Sequence, residues 1–165
     1  YNHRNVRYFQ EFYSELTYTG QTIELHAAAD WAYDYTSRTE NITPLIDGTY
    51  NFSQRDQIHL SLQHQHTKNT LNKGEYDNEL FLAEYSRSPF MSAALVTEYT
   101  NKNLWRNLSM KRHFWIYGNL TFNFWHNQQL SLLYGSRREG FICVGGVCRR
   151  EPEFEGVEIR LTNRF

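Results

Sequence analysis

The chain has 165 residues, a formal net charge of −1, 40% apolar, 21% charged and 16% aromatic residues. That length allows one domain with a sizeable core, the charge balance excludes a general nucleic-acid binder, and 12 Tyr, 11 Phe and 4 Trp exclude an unfolded chain. No run approaches the 18 or so uninterrupted apolar residues of a membrane-spanning helix, yet the mean hydropathy of −0.70 is very polar for so aromatic a chain.

The chain opens at Tyr1-Asn2-His3-Arg4 without an initiator Met or signal peptide, so it is expected to be processed or to be a piece of something longer. Alternation of period two then recurs along its length, the pattern of strands with two unlike faces. Residues 5–18 set Val6, Tyr8, Phe12, Leu16 and Tyr18 against Arg7, Glu11, Glu15 and Thr17. The clearest run, 22–35, sets Ile23, Leu25, Ala27, Ala29, Trp31, Tyr33 and Tyr35 against Glu24, His26, Ala28, Asp30, Ala32 and Asp34. Residues 43–53 set Ile46, Gly48, Tyr50 and Phe52 against Leu45, Asp47, Thr49 and Asn51; residues 57–67 set Ile58, Leu60 and Leu62 against His59, Ser61 and Gln63. Residues 77–87 are strand-like, but Leu80/Leu82 and Phe81/Ala83/Tyr85 compete and the phase stays open. Residues 90–100 set Met91, Ala93, Leu95, Thr97 and Tyr99 against Ser92, Ala94, Val96 and Glu98. Residues 113–125 set Phe114, Ile116, Leu120, Phe122 and Phe124 against Trp115, Tyr117, Asn119 and Thr121; residues 129–137 set Leu130, Leu132 and Tyr134 against Ser131, Leu133 and Gly135. The last run, 156–165, sets Val157, Ile159, Leu161 and Phe165 against Glu158, Arg160, Thr162 and Arg164.

These runs predict an all-β fold of about nine antiparallel strands of roughly ten residues, the length a tilted strand needs to cross a bilayer. Tight turns are expected near 19–20, 53–56, 87–89 and 126–128, and longer polar links at 36–42, 68–76, 101–112 and 138–155. All short links then fall on one edge and all long links on the other, as in outer-membrane barrels. Pro44, Pro89 and Pro152 are expected at strand starts, turns or loops, where a missing N–H is harmless.

A soluble barrel or sandwich would turn the apolar face inward; a transmembrane barrel turns it to lipid and lines its lumen with the polar face. Three features favour the membrane: the loop asymmetry, the aromatics near strand ends, and the charges on the opposite face. The aromatics are Tyr8, Trp31, Tyr33, Tyr99 and Tyr134 towards the long links and Tyr18, Phe52, Phe124 and Phe165 towards the short turns, placed as interfacial girdles would be. The charges, Glu11, Glu15, Glu24, Asp30, Asp34, Asp47, Glu98 and Arg160, would cost several kcal/mol each in a dry core but suit a wet lumen. With His26, His59 and Arg164 they form the expected lumen lining.

The ending Gly156-Val157-Glu158-Ile159-Arg160-Leu161-Thr162-Asn163-Arg164-Phe165 resembles the C-terminal signature of bacterial outer-membrane barrels. Val157, Ile159, Leu161 and Phe165 match it, and Asn163 departs where an apolar residue is usual. The resemblance implies a barrel in the outer membrane of a Gram-negative bacterium, inserted by the barrel-assembly machinery, with lipid and lipopolysaccharide around it. The stretch Tyr134-Gly135-Ser136-Arg137-Arg138 leading into the cysteines also resembles uncharacterised barrels of the Bacteroides–Flavobacterium group, over about the last thirty residues. With Phe165 on the periplasmic side, nine strands place residue 1 outside. Even strand numbers are the rule in bacterial single-chain barrels, so this chain is expected to be the C-terminal part of a larger one or to lack at least one N-terminal strand.

Cys143 and Cys148 bracket Gly145-Gly146, the signal of a two-residue hairpin turn. That register sets Val144 opposite Val147 and Cys143 opposite Cys148, at the Cα spacing of about 4.5 Å that a disulfide can span; metal binding or redox chemistry is the alternative. Arg137, Arg138, Arg149 and Arg150 flank them, as loop charges or as an anion-attracting patch. His64 and His66 share one face and read as interfacial packing or as part of a metal grip. The inward acids of the first strands and Arg137, Arg160 and Arg164 of the last read either as a transverse field across a pore or as pairs between neighbouring strands. No nucleophile elbow, phosphate loop or HExxH motif occurs; His26 near Asp30 and Ser61 near His59 are pairs of catalytic type, at a strand spacing too common to count. The expectation is a non-enzyme without cofactor or metal: a porin-like or gated channel for small polar solutes, or else an anchoring barrel for a surface or periplasmic protein partner. A soluble lipocalin-like binder is the third reading.

Overall fold

The computed structural model describes residues 9–71, 74–101, 114–124, 128–138, 140–144 and 147–163. The described residues form eleven strands: β1 (Phe9–Thr19), β2 (Ile23–Asp34), β3 (Thr39–Asn51), β4 (Asp56–Asn69), β5 (Gly74–Arg87), β6 (Met91–Thr100), β7 (Phe114–Phe124), β8 (Gln128–Arg137), β9 (Gly140–Val144), β10 (Val147–Glu151) and β11 (Phe154–Asn163). Nine of them form one up-and-down sheet in the order β1-β2-β3-β4-β5-β6-β7-β8-β11, each neighbour antiparallel, and β9 and β10 pair as a hairpin inserted before β11. The nine alternating runs of the sequence are the nine strands of this sheet. The sheet is open: β1 and β11 are not paired with one another.

Cross-strand register carries the apolar positions into continuous rows. One runs Tyr18–Leu25–Gly48–Leu60–Ala83–Leu95–Gly118–Tyr134–Val157 through all nine strands. A second runs Ile23–Tyr50–Ile58–Tyr85–Ala93–Leu120–Leu132–Ile159. These rows settle the open phase of β5: Phe81, Ala83 and Tyr85 stand on the apolar face opposite Leu62, Leu60 and Ile58, and Leu80 and Leu82 stand on the other. No single strand contains that answer; its two neighbours do.

The apolar face is the exposed one. Leu16 is 75%, Tyr134 73% and Ile159 69% exposed. Along β11 each apolar residue from Val157 to Leu161 is exposed, and the polar residues between them are half-buried. The sheet therefore curls around its polar side, the reverse of a soluble domain. Its strands are also staggered. Against the Tyr18–Val157 row, the last residue before each short turn lies one rung beyond on β1 (Thr19), three on β3 (Asn51), four on β5 (Arg87) and six on β7 (Phe124). A steady drift of this kind is the shear that tilted strands require when a sheet curves around an axis.

Four expectations are corrected. The links expected at 36–42 and 68–76 shrink to residues 35–38 and 70–73, because Asp34 pairs with Thr39 and Asn69 with Gly74. Polar rungs such as Glu40–Lys68–Glu75 extend those ladders beyond the apolar rows, where alternation of hydropathy gives no signal. The edge asymmetry survives in the links at 101–113 and 138–153. Pro44 lies inside β3 opposite Ala29 rather than at a strand start, and pairing of β3 to β4 lapses at residues 43–44 and resumes in register at Ile42 and Leu45, as a missing N–H requires. Finally, the inner face is not polar throughout. Val96, Tyr117 and Leu133 are buried there, with Leu80, Leu82 and Phe154 packed against them. The expectations for Val6, Arg7, Tyr8, His126, Gly145, Gly146, Arg164 and Phe165 lie outside the described residues.

Candidate functional site

The sheltered face of the sheet gathers most of the residues singled out from sequence, in two groups. The first spans β1 to β3. Thr17, His26 and Asp47 share one row, and Tyr13 lies opposite Asp30 in another. His26 Nδ1 is 2.8 Å from Asp47 Oδ2, and its Nε2 is 3.6 Å from Glu15 Oε2, which also accepts a 2.8 Å hydrogen bond from the Tyr13 hydroxyl. Three strands thus contribute to one imidazole. The partner of His26 is Asp47, across the sheet, and not Asp30, four residues on in the same strand. The reason is geometric: residues four apart on a strand are about 13 Å apart, whereas directly opposed side chains touch.

Asp30 carries a buried Oδ1 with no hydrogen-bond partner. Glu11 and Glu24 enter no ion pair among the described residues. Asp34 is occupied otherwise: its carboxylate accepts hydrogen bonds from the Thr36 and Ser37 backbone N–H groups and from the Ser37 hydroxyl, so it caps the β2–β3 hairpin. That is Asx-turn chemistry, and it engages the Asp34 carboxylate in the turn. His59 faces inward between Thr49 and Glu84, and its pairing with Ser61 is only that of next-but-one neighbours on β4.

The second group spans β5 to β8 and β11. Arg137, 2% exposed, lies 3.1 Å from Glu158 Oε2, donates through Nε to the Pro152 carbonyl at 3.2 Å and stands 5.1 Å above the Phe154 ring. Glu158 also binds Arg160 from the same strand. Arg138 reaches the other way. It lies 3.8 Å from Glu98, donates to Asn78 Oδ1 at 3.0 Å and covers the Trp115 ring at 5.9 Å. Glu158, Asn78 and Trp115 were absent from the sequence-derived lining. Alternation had already put Glu158 and Trp115 on this face, but only register shows which charges they meet.

Pairing between neighbouring strands therefore holds for Arg137 with Glu158 and for His26 with Asp47, whereas Arg160 meets Glu158 within β11 and Arg138 reaches past β7 to Glu98 on β6. Among the described residues the inner-face charges without an ion pair are acidic: Glu11 on β1, Glu24 and Asp30 on β2, and Glu84 on β5.

On the exposed face, His64 and His66 stand above the apolar rows with Asp77, Glu79, Lys68 and Glu75. His66 Nδ1 is 2.7 Å from Asp77 Oδ1, His64 lies 3.7 Å from Asp77 and 3.8 Å from Glu79, and Lys68 lies 3.1 Å from Glu75. Trp31 donates to Glu40 at 2.7 Å beside them. Among the described residues no cluster of three His, Cys, Asp or Glu is arranged to hold a metal ion. Val157, Ile159 and Leu161 occupy the exposed face of the sheet-edge strand β11. In the hairpin, Cys148 lies opposite Cys143 and Val147 opposite Val144, the register that the Gly-Gly centre implies.

The chain matches the family of unknown function DUF6029 over residues 5–165 and belongs to it. No curated protein and no solved structure matches it.

Proposed function

We propose that this member of DUF6029 forms the wall of a transmembrane β-barrel in a bacterial outer membrane and conducts small polar solutes, cations in preference to anions. The observation that carries this reading is the exposed apolar row from Tyr18 to Val157 on the outside of a sheet that curls around polar side chains. Leaving nine strands of Leu, Ile, Phe and Tyr in water would be costly, at about 25 cal/mol for each Å² exposed, and lipid removes that cost. The stagger of the short turns supports tilted strands of a barrel wall. Tyr99, Phe114 and Tyr134 towards one edge and Tyr18, Phe52 and Phe124 towards the other supply interfacial rings. A lipocalin-like binder needs its apolar face enclosed, and here that face is outside.

Lipid and lipopolysaccharide contact the outer face in this reading, and the barrel-assembly machinery inserts the chain through Val157, Ile159, Leu161 and Phe165. The uncompensated Glu11, Glu24 and Asp30 give the lumen its preference for cations. The test is conductance of the purified full-length protein in planar bilayers under a salt gradient. A cation-selective reversal potential that moves towards zero in the double variant Glu24→Gln/Asp30→Asn is expected. A protein that inserts without conducting favours the second reading, an anchoring barrel, for which the Arg137–Pro152 tie that steadies the root of the long 138–153 excursion speaks.

A further inference from the structure

The two free edges of the sheet, β1 and β11, are separated by eight antiparallel steps. Direction reverses at each step, so β1 and β11 run the same way. An antiparallel wall cannot close by joining them. It needs an odd number of further strands whose first and last members run opposite to both.

The side chains beside the gap state what such a strand must carry. On the exposed face β1 presents Phe12, Leu16 and Tyr18, and β11 presents Val157, Ile159 and Leu161. On the polar face the β11 side is already compensated, because Glu158 binds both Arg137 and Arg160. The β1 side is not. Glu11 enters no ion pair among the described residues, and Glu15 has only His26 at 3.6 Å and the Tyr13 hydroxyl. All eleven residues of β1 are exposed, on both faces. A second copy rotated about the barrel axis does not fit, since rotation keeps strand direction and its β1 would again meet β11 in parallel.

We propose that β1 is covered by a strand of the same polypeptide that runs antiparallel to it, places apolar side chains beside Phe12, Leu16 and Tyr18, and sets a basic side chain against Glu11 and Glu15. This rests on the barrel reading and adds the partner of its open edge. Covalent continuity suits the site, because an exposed edge strand waiting for a separate partner would template aggregation, and a tethered strand arrives at high effective concentration.

The test is crosslinking in the full-length protein in its native membrane, in a Cys143→Ala/Cys148→Ala background. Leu16→Cys is combined in turn with Val157→Cys, Ile159→Cys and Leu161→Cys and oxidised. No direct disulfide is expected, since strands flanking a third lie about 10 Å apart and a disulfide spans less than about 7 Å between Cα atoms. Any such disulfide overturns the proposal. In parallel, a photo-crosslinking side chain at Ser14 should capture a segment of the same molecule with alternating apolar and basic residues, identified by mass spectrometry at unchanged molecular mass. Glu11→Lys should lower that yield severalfold, and Glu11→Asp should retain it. Capture of β11, of a separate protein, or of nothing overturns the proposal. None of these readouts involves conduction, and failure of the membrane reading would register separately as recovery of the protein in the soluble fraction.

Discussion

Arg137 on β8 and Glu158 on β11 form an ion pair at 3.1 Å on the sheltered face, with the arginine side chain 3% and the carboxylate 23% exposed. Their Cα partners in the ladder are Phe154 and Leu133, so the pair bridges diagonally and ties the last sheet pairing to the base of the hairpin. Removing the carboxylate charge takes one partner from a buried arginine that keeps others, the Pro152 carbonyl and the Phe154 ring among them. Glu158→Gln is therefore expected to destabilise the folded protein by about 1–3 kcal/mol, read by urea unfolding in lipid vesicles. An unchanged midpoint would mean that the ion pair adds nothing measurable to stability.

Gly135 adopts φ +129° beside β7, where a Cβ would lie 2.7 Å from the Tyr117 Cα. Both the backbone angle and the space demand glycine. Gly135→Ala should cost at least about 2 kcal/mol. Gly48 offers a contrast, since the tight contact of a Cβ there is with the tip of Leu25, at 2.9 Å, which can turn aside, and the Glu24 carbonyl oxygen lies at an ordinary 3.5 Å. Gly48→Ala should change stability by less than about 1 kcal/mol. The same unfolding measurement ranks the two, and equal effects would contradict the argument.

Cys143 and Cys148 are opposed in the β9–β10 ladder, and the outer-membrane reading proposed above would set them in an oxidising cell envelope, which favours a disulfide. Protein purified without reductant is expected to resist alkylation until it is reduced, with both thiols then labelled together. Two thiols alkylated before reduction would refute the pairing.

Leu60 is the middle of the outward series Ile58, Leu60, Leu62 on β4, and His59 points to the other face. An arginine on the lipid face near mid-depth costs about 2–4 kcal/mol, and far less in a lumen. Leu60→Arg should lower the yield of folding into vesicles sharply, and His59→Arg should leave it nearly unchanged. The reverse order would place the apolar face away from lipid.

Much of this architecture is legible in the sequence, because hydropathy alternation is a local property. Each of the nine sheet strands coincides with an alternating run, and every short turn within the described residues falls where the alternation breaks. What is not local is not legible. The partner of His26 is Asp47, which only the β2–β3 register reveals; Asp30, nearer in sequence, is the wrong choice. The phase of β5 depends on Leu60 and Leu62 beside it. Polar rungs such as Asn69 opposite Gly74 lengthen strands without any hydropathy signal, so two expected loops shorten to links of four residues. The inner cluster of Val96, Tyr117 and Leu133 has no local signal because each residue falls on the mixed face of its own strand, beside Glu98, Asn119 and Ser131 respectively, and only the fold gathers them.

The central claim, that the apolar face meets lipid and the polar face water, is tested most directly by spin labels placed one at a time along β3 from Leu45 to Tyr50 in protein folded into vesicles. Collision with oxygen, which dissolves in lipid, should peak at Ile46, Gly48 and Tyr50, and collision with a water-soluble nickel reagent should peak at Leu45, Asp47 and Thr49. The period should be two. Nickel accessibility at Ile46, Gly48 and Tyr50 equal to that of their neighbours would contradict the account.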